Sequence, residues 1–339
     1  MERILALAFV EDGPLPRGAM EALQGAVDLS RSIEGSTLSV GLIGQRVEPA
    51  AGSLAGCGAA RFLGVEGPEV ARPRYASDVA AAEALARRSE ATLVMIPNSS
   101  RAARIAGGLA QRLGGRVDTH VVGLRVRDGE PRIDRWYYRQ RMLATLSRTT
   151  RPWVLLLEGG VFEPWRGESG TADVEAVAVA WPSFVTRNLG EEAAGTKAQT
   201  IRPDADLLFV AGAGWTKKQA DGQSHIAEAE ERILGFLEAS GASLGSSKSL
   251  VDLSSEGQDI LAFMTHLNQV GQTGSSPRHP KGLATCCHGE EPHVVGWRFI
   301  KERRAVNLDP NCGWARGKAD VLYVADAFEV MAKVNDLLS

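Results

Sequence analysis

Short apolar runs alternate with amphipathic stretches along the first third of the chain. Four runs are continuously apolar, as strands covered on both faces are, and we expect strands at Ile4–Val10, Leu38–Gly44, Ala60–Val65 and Ala91–Pro97. Apolar residues at helical spacing predict helices at Gly18–Ser32, Ser77–Arg88 and Arg101–Leu113, with Ser77 and Asn98–Ser100 as candidate caps. This alternation predicts a parallel sheet with helices on both faces.

The pattern changes after residue 118. Strands without long helices between them are predicted at Thr119–Val126, Arg132–Arg139, Met142–Ser147, Trp153–Glu158 and Val174–Val179. Asn188–Gln199 is rich in glycine, glutamate and alanine and has no clear period, which predicts a linker. We therefore expect a first domain at residues 1–190.

A second alternation follows the linker. We expect strands at Ala205–Ala211, Gly282–Cys287, His293–Trp297, Ala305–Leu308 and Val321–Val324, and helices at Ile226–Leu237, Gly257–Leu267 and Ala327–Leu338. Gly241 is a candidate helix stop, and Gly212–Gly214 and Gly245–Lys248 are predicted as polar turns. The expected second α/β domain covers residues 200–326, and the closing helix covers 327–339. Ligands of open parallel sheets bind at the carboxyl ends of strands, where such turns lie.

Composition and charge narrow the class of protein. The net charge is −3 with acids and bases interspersed, which argues against a nucleic-acid partner or an anionic membrane surface. No apolar run approaches the length of a membrane span, so we do not expect an integral membrane protein. The cysteines Cys57, Cys286, Cys287 and Cys312 form no C-x-x-C pair and no secreted framework, which indicates a cytoplasmic location.

The segment Asn268–Gly274 is the candidate binding loop. Gly271 and Gly274 let the backbone pass close to a ligand, while Gln272 and Thr273 offer an amide and a hydroxyl group. By composition alone, such a segment is more often an ordinary turn. The sequence has no Walker loop, Ser-His-Asp arrangement or metal-binding motif, so hydrolase or kinase chemistry has no support.

Four separated motifs resemble those of one family. They are Gln269–Gly274, Asn307–Pro310, Leu143–Thr145 followed by Gly160–Pro164, and Ala91–Pro97 followed by Asn98–Arg101. With these motifs, and over nearly its whole length, the chain resembles the α subunit of electron transfer flavoproteins.

The resemblance implies a fold, a cofactor and partners. It implies a flavodoxin-like, three-layer first domain that contacts a β subunit, and a second, doubly wound parallel-sheet domain that binds FAD. The β subunit is expected to hold AMP. Electrons would pass from a donor dehydrogenase to a quinone oxidoreductase or an iron-sulfur acceptor. The implied role is that of an electron carrier rather than a substrate-transforming enzyme.

The resemblance also assigns candidate FAD-binding residues. They are Ser247, Lys248, Val270, Gly271, Gln272, Thr273, Gly274, His288, Gly289, His293, Asn307 and Asp320. Among them, His293 is expected near the flavin ring, and Asn307 and Asp320 near the adenosine end. Each of these three residues has an alternative interpretation. Asn307 and Asp320 could cap turns, and His293 could have a structural role. No catalytic residue or metal ligand is assigned.

The sequence departs from the family pattern at the expected site. Ala213 replaces an arginine that approaches the flavin ring, and Lys217 or Lys218 would have to supply the missing charge. Lys248 replaces an arginine, which keeps the charge but loses the bidentate fork. The segment Asp252–Gln269 is longer than the pattern by about two helical turns, which predicts an additional helix beside the loop.

Two hypotheses follow from these departures. In the first, FAD still binds with an altered potential. In the second, the site has lost flavin or uses it differently, with Cys286, Cys287 and His288 as ligands or a redox dithiol. Buried structural cysteines are the favoured explanation, because adjacent cysteines form a strained disulfide and three ligands do not complete a cluster cage. The alternative function is a redox-inactive or flavin-free scaffold subunit of the same heterodimer.

Overall fold

The structure is a computed structural model in which the chain divides into two compact units, Met1–Glu191 and Glu192–Ser339. It describes residues 1–11, 14–138, 142–183, 186–190, 201–202, 205–252, 260–271, 279–286, 297 and 299–339, without the side chains of 313 and 314. Most of the predicted linker lies outside the described residues. No described helix is both long and apolar enough to cross a bilayer.

The first unit contains one nine-stranded sheet. Its strands are β1 Arg3–Val10, β2 Thr37–Gly44, β3 Arg61–Glu66, β4 Leu93–Pro97, β5 Arg116–Arg127, β6 Glu130–Tyr137, β7 Met142–Leu146, β8 Trp153–Leu157 and β9 Val174–Ala176. The helices are α1 Arg17–Ser32, α2 Glu48–Ser53, α3 Tyr75–Arg88 and α4 Ser100–Arg112. The strand order is β7-β6-β5-β8-β4-β1-β2-β3-β9, and all pairs are parallel except β5 with β6 and β6 with β7.

Apolar side chains cover both faces of this sheet. Successive strand residues point to opposite faces, so β1 sends Ile4 and Ala6 toward one core and Leu5 and Leu7 toward the other. The first core packs against α1 and α2, and the second packs against α3 and α4. The fully apolar strands in the sequence therefore mark the middle of a three-layer α/β unit, as predicted.

Two local predictions for the first unit need correction, and one short helix was missed. Helix α3 begins at Tyr75, so Ser77 lies inside its first turn and is not the cap. The short helix α2 was not predicted, and the last strand ends at Ala176 rather than at Val179. The cap of α4 is confirmed, because the Ser99 side chain accepts a hydrogen bond from the Ala102 N–H.

A buried carboxylate, Asp118, joins β5 to the segment before β8. It accepts hydrogen bonds from Arg135 at 2.8 Å, Arg148 at 2.5 Å and the indole N–H of Trp153 at 2.9 Å. Burial opposes ionisation of Asp118, but the hydrogen bonds from Arg148 and Trp153 outweigh it and hold its pKa below the usual range.

This arrangement predicts an acid-dependent loss of stability. Because the folded-state pKa of Asp118 is depressed, its contribution is complete above the unfolded-state pKa, about 3.9, and is lost as pH falls through the folded-state pKa. The free energy of unfolding of wild type should therefore fall more steeply than that of Asp118→Asn as pH drops below about 5. Urea unfolding of both proteins between pH 3 and 7 tests this, and parallel curves would contradict it.

The second unit contains a five-stranded parallel sheet. Its strands are β10 Leu207–Ala211, β11 Ser243–Ser246, β12 Lys281–Thr285, β13 Glu302–Asn307 and β14 Val321–Val324. Its helices are α5 Ile226–Ser240, α6 Lys248–Asp252, α7 Gly313–Lys318 and α8 Ala327–Leu338. The strand order β11-β10-β12-β13-β14 is that of a doubly wound sheet. One core packs against α5 and α8, and the other contains Trp297, Ile300 and Ala315 of the opposite layer.

The structure agrees with some of the helices predicted for the second unit and not with others. Helix α8 has the predicted bounds. Helix α5 ends at Ser240, and Gly241 directly after it has a φ of 64°, the left-handed conformation expected of a helix stop. The described part of the predicted helix Gly257–Leu267, from Ile260 onward, is not α-helical. It ends in a 3-10 turn at His266–Asn268, where the side chains of Thr265 and Asn268 bond to the backbone and compete with helix formation.

Two other predictions for this unit are wrong at described residues. The predicted polar turn Gly245–Lys248 is instead the end of β11 followed directly by α6. Trp297, predicted as the end of a strand, is helical and buried, with its indole N–H bonded to the Lys318 carbonyl at 3.0 Å. Residues 293–296 of that predicted strand lie outside the described residues.

Candidate functional site

The carboxyl ends of β10 and β12 form the centre of the candidate site. In chain order, β11 follows β10 on one side, whereas β12 lies on the other side of β10. The direction of winding therefore reverses between β10 and β12, and a crevice opens outside the carboxyl ends of strands at such a switch point. The residues that follow Ala211 and Thr285 are therefore positioned for ligand binding.

A glycine turn follows β10 and is fixed to the end of β12. The N–H of Gly212 bonds to the Thr285 carbonyl at 2.8 Å, and the N–H of Gly214 bonds to the Cys286 carbonyl at 3.0 Å. Ala213, where the family pattern has arginine, is buried in the 3-10 turn Ala213–Thr216. Lys217 and Lys218 follow that turn and are exposed.

Two residues that sequence reasoning missed hold this turn in place. The indole N–H of Trp215 donates to Thr285 Oγ1 at 2.9 Å, and the Thr285 hydroxyl donates to the Val210 carbonyl at 3.3 Å. Trp215 is fully buried and its ring packs on Phe328 with 4.5 Å between centroids. In the sequence, this contact could have been suspected from two features: a tryptophan directly after a glycine turn, and a threonine at the end of an apolar strand.

The end of β11 contributes two serines. The Ser247 N–H bonds to the Ala211 carbonyl at 2.9 Å, and its hydroxyl oxygen accepts from the Leu250 N–H at 3.4 Å in the first turn of α6. Ser246 Oγ is buried and has no hydrogen-bond partner among the described residues. The Lys248 ammonium lies 3.8 Å from Asp252 on an exposed surface.

The first half of the candidate binding loop lies beside β11. The Val270 N–H bonds to the Ser246 carbonyl at 3.1 Å, and Gln269 forms a parallel bridge with Ser246. Gly271 has a φ of 80°, a conformation that favours glycine. Gly245 is close beneath Val270, because a Cβ built at Gly245 would lie 2.8 Å from Val270 Cγ2. The close packing of Gly245 in β11 against Val270 therefore positions this segment.

Asn307 and Asp320 lie at opposite ends of their strands. Asn307 ends β13 and its Oδ1 accepts the Asp309 N–H at 2.9 Å, so it shapes the following turn at the same edge as Thr285. Asp320 precedes β14 and pairs with Arg303 at 2.7 Å, and that hydrogen bond lowers the pKa of Asp320. Arg303 and Asn307 are four residues apart on one strand, about 13 Å, so the structure does not bring Asp320 to the carboxyl edge.

The described cysteines are buried side chains. Cys286 follows β12 with a φ of 56°, and Cys57 and Cys312 lie in the cores. No group of three or more His, Cys, Asp or Glu in the described part of the chain is arranged to hold a metal ion. Cys287, His288, Gly289 and His293 lie outside the described residues, as do Gln272, Thr273 and Gly274.

The described part of the site therefore brings five of the twelve predicted residues to one edge of the sheet: Ser247, Lys248, Val270, Gly271 and Asn307. The groups there that could hold a dinucleotide are the Gly212–Gly214 turn, the two serines after β11 and the backbone at Val270–Gly271. The partnerless buried hydroxyl of Ser246 fits a polar ligand at this edge, because buried polar atoms are normally hydrogen-bonded.

Comparison with known proteins identifies the family. A family model described as the electron transfer flavoprotein domain matches residues 4–182, which is more than half of the chain. The chain belongs to the electron transfer flavoprotein family. A search of curated proteins finds no match.

Motifs within the region matched to electron transfer flavoproteins have structural roles in the first unit. Arg101, at the start of α4, donates to both carboxylate oxygens of Asp78 on α3. Thr145 donates to Asp134 at 2.5 Å, and the Gly160 N–H donates to Glu21 at 2.6 Å. These motif residues therefore stabilise the first unit, while the candidate cofactor residues lie beyond residue 182.

Members of this family are flavoproteins. A flavin is therefore the cofactor whose fit to the residues of the second unit is relevant. The doubly wound sheet and its glycine turn are features of dinucleotide-binding folds. The departure from the family pattern at Ala213 is also present in the structure, because no described residue places a cationic side chain at this buried position.

Proposed function

We propose that this chain is the FAD-binding α subunit of a heterodimeric electron transfer flavoprotein. The observation that carries the proposal is the convergence of the Gly212–Gly214 turn, Ser247 and Val270–Gly271 at the switch point of the second sheet. The sequence resemblance to α subunits, with FAD contacts in the second domain, supports the same assignment.

The residues of the proposed site have distinct tasks. Trp215 and Thr285 fix the glycine turn to β12, so the main chain there is already ordered before a ligand binds. Gly245 lets Val270 approach the sheet, which sets the start of the loop. Ser246 and Ser247 offer hydroxyl groups to a ribityl chain or diphosphate. When bound, a flavin would supply the one- and two-electron chemistry that a carrier between a dehydrogenase and its acceptor requires.

The proposed partners follow from the family and the resemblance. We propose a β-type subunit that holds AMP, a donor dehydrogenase, and a quinone oxidoreductase or iron-sulfur acceptor. In this proposal the chain transfers electrons and transforms no substrate itself. A cytoplasmic location belongs to the same proposal.

A flavin-free scaffold subunit is the second candidate function, and one observation favours it. The cavity between Cys286, Asn307 and Phe328 has a volume of about 10 Å³, which is room for one water molecule. Side chains of the unit thus fill this part of the strand edge. In this second function the heterodimer would form but would contain no FAD.

The visible absorption spectrum of the purified heterodimer separates the two functions. We expect flavin bands at about one flavin per heterodimer when the chain is co-expressed with a β-type subunit, because one dinucleotide site is proposed per α chain. Flavin released by denaturation and separated by chromatography should be FAD. A heterodimer that forms without flavin, even after incubation with excess FAD, would reject the carrier and favour the scaffold.

A further inference from the structure

A large cleft in the first unit has no role in the proposed flavin site. Its volume is about 1040 Å³, and the residues that line it come from the segments that follow β1, β2 and β3, between Val10 and Pro73. Sites for small molecules usually have volumes of about 300–1000 Å³. The cleft is therefore large enough for a metabolite.

The ends of three parallel strands form the floor of the cleft. Strands β1, β2 and β3 end level, because Val10 pairs with Gly44 and Gly44 pairs with Glu66. A Cβ at Gly44 would lie 2.5 Å from the Val10 carbonyl oxygen, so the main chains of β1 and β2 are in close contact here. Strand β1 lies between β2 and β4, where the winding of this sheet reverses. The cleft therefore opens at an edge where parallel sheets bind ligands.

The walls of the cleft are mainly apolar and contain three prolines. Pro14 and Leu15 follow β1, Pro49 lies in the first turn of α2, and Pro73 precedes α3. The ring of a proline fixes its φ near −65°, so these segments have little freedom to collapse into the cleft. Walls of this kind stabilise a flat apolar ring system by removing its faces from water.

The charged side chains of the cleft favour an anion. Those that line its described part are Arg46, Arg72 and Glu11, a net charge of +1, whereas the whole chain carries −3. Guanidinium groups bind phosphate oxygens with two parallel hydrogen bonds. A phosphomonoester carries about −1.5 to −2 charges at pH 7, so two arginines match it better than they match a carboxylate. Gln45 and Ser53 add an amide and a hydroxyl group to the lining.

We propose that this cleft binds a phosphomonoester that carries a flat apolar ring system. Arg46 and Arg72 hold the phosphate, and the proline-containing walls enclose the ring. Glu11, Gln45 and Ser53 offer hydrogen bonds to polar groups on the ligand. The inference goes beyond the proposed function and does not depend on it, because the cleft lies in the first unit and the proposed flavin site lies in the second.

The test is a fluorescence titration of the full chain with naphthyl phosphate, which combines a phosphomonoester with a flat apolar ring. It should bind at least about tenfold more tightly than naphthol or inorganic phosphate, because each of these lacks one half of the contacts. Arg46→Gln should raise the dissociation constant about tenfold, because a charged hydrogen bond to the phosphate is lost. The matched control Arg31→Gln removes an exposed arginine in the last turn of α1 and should leave the dissociation constant unchanged. Thermal unfolding should shift by no more than about 2 °C in either variant.

A second variant should increase the affinity. Arg46 lies close enough to Glu48 and Glu66 to stabilise their charged forms, so a phosphate at Arg46 competes with these two carboxylates. Glu66 also accepts a hydrogen bond from the Val47 N–H, whereas Glu48 is exposed. Glu48→Gln should therefore lower the dissociation constant of naphthyl phosphate several-fold at low salt, and high salt should reduce this gain. A purely structural role of Arg46 predicts no such gain.

Hydrogen exchange locates the bound probe. Naphthyl phosphate should slow exchange of the amides at residues 45–51 in the first unit. Slower exchange at residues 243–251 instead would place the probe in the second unit and overturn the proposal. Equal affinity for naphthol and naphthyl phosphate, no saturable binding, or unchanged binding by Arg46→Gln would overturn it as well. None of these results would affect the assignment of the flavin site, which is tested by the flavin content of the heterodimer.

Discussion

Replacing Asp78 by alanine should lower the free energy of unfolding of the first unit by about 3–5 kcal/mol. Asp78 is fully buried on α3, and the guanidinium of Arg101 on α4, which is 5 % exposed, contacts it at 2.8 Å. Arg101 also donates to the Val70 carbonyl at 2.7 Å, so it joins α3, α4 and the segment after β3. Loss of the carboxylate leaves a buried guanidinium with an uncompensated charge.

The measurement is hydrogen exchange of the α3 and α4 amides in the full chain, because exchange reports the stability of this unit separately. Exchange should become about 10²–10⁴-fold faster in Asp78→Ala, at about 1.4 kcal/mol for each factor of ten. The control is Glu83→Ala on the same helix, which breaks exposed pairs with Arg87 and Arg112 and should cost no more than about 1 kcal/mol.

A double variant distinguishes loss of the buried ion pair from general misfolding. Asp78→Leu combined with Arg101→Met removes both charges and should recover most of the stability that Asp78→Ala loses, because apolar pairs often replace buried ion pairs without loss. Equal exchange rates in Asp78→Ala and Glu83→Ala would show that the buried pair has no special importance.

Replacing Gly245 by valine should reduce flavin binding by the heterodimer at least about tenfold, because it displaces the start of the binding loop. A Cβ at this position would lie 2.8 Å from Val270 Cγ2 and 3.1 Å from Leu208 Cδ1. Both are ends of side chains, so alanine requires a small shift of Val270, whereas the two further methyl groups of valine push the segment away from Ser246. The flavin-to-protein ratio after gel filtration gives the effect.

The series Gly245→Ala, Gly245→Val and Gly317→Ala separates the steric effect from a general effect of losing a glycine. A Cβ at Gly317, in α7, would meet no atom within 4 Å, so Gly317→Ala should retain full flavin content. We expect the flavin content to decrease from Gly317→Ala through Gly245→Ala to Gly245→Val. A Gly245→Val heterodimer with the flavin content and affinity of wild type would show that the Val270 segment does not form the site.

Continuous apolar runs were sufficient to predict the parallel strands, because a strand covered on both faces needs apolar residues at every position. β1 and β4 are of this kind, and the helix α8 follows an apolar period with a capping Asp326. The sequence could not predict β11, whose residues Ser243–Ser246 are small and polar. They form a strand because β10 offers hydrogen bonds and Val270 covers Gly245, and both contacts are distant in sequence.

The sequence alone determined the α/β class and, through its motifs, the candidate residues around Val270, because these depend on local patterns and on short segments. Only the tertiary structure decided which polar residues meet. It paired Asp78 with Arg101, fixed the glycine turn through Trp215 and Thr285, and separated Asp320 from Asn307 along their strands. Such pairings depend on strand order and register, which bring together residues far apart in the chain and which no local pattern encodes.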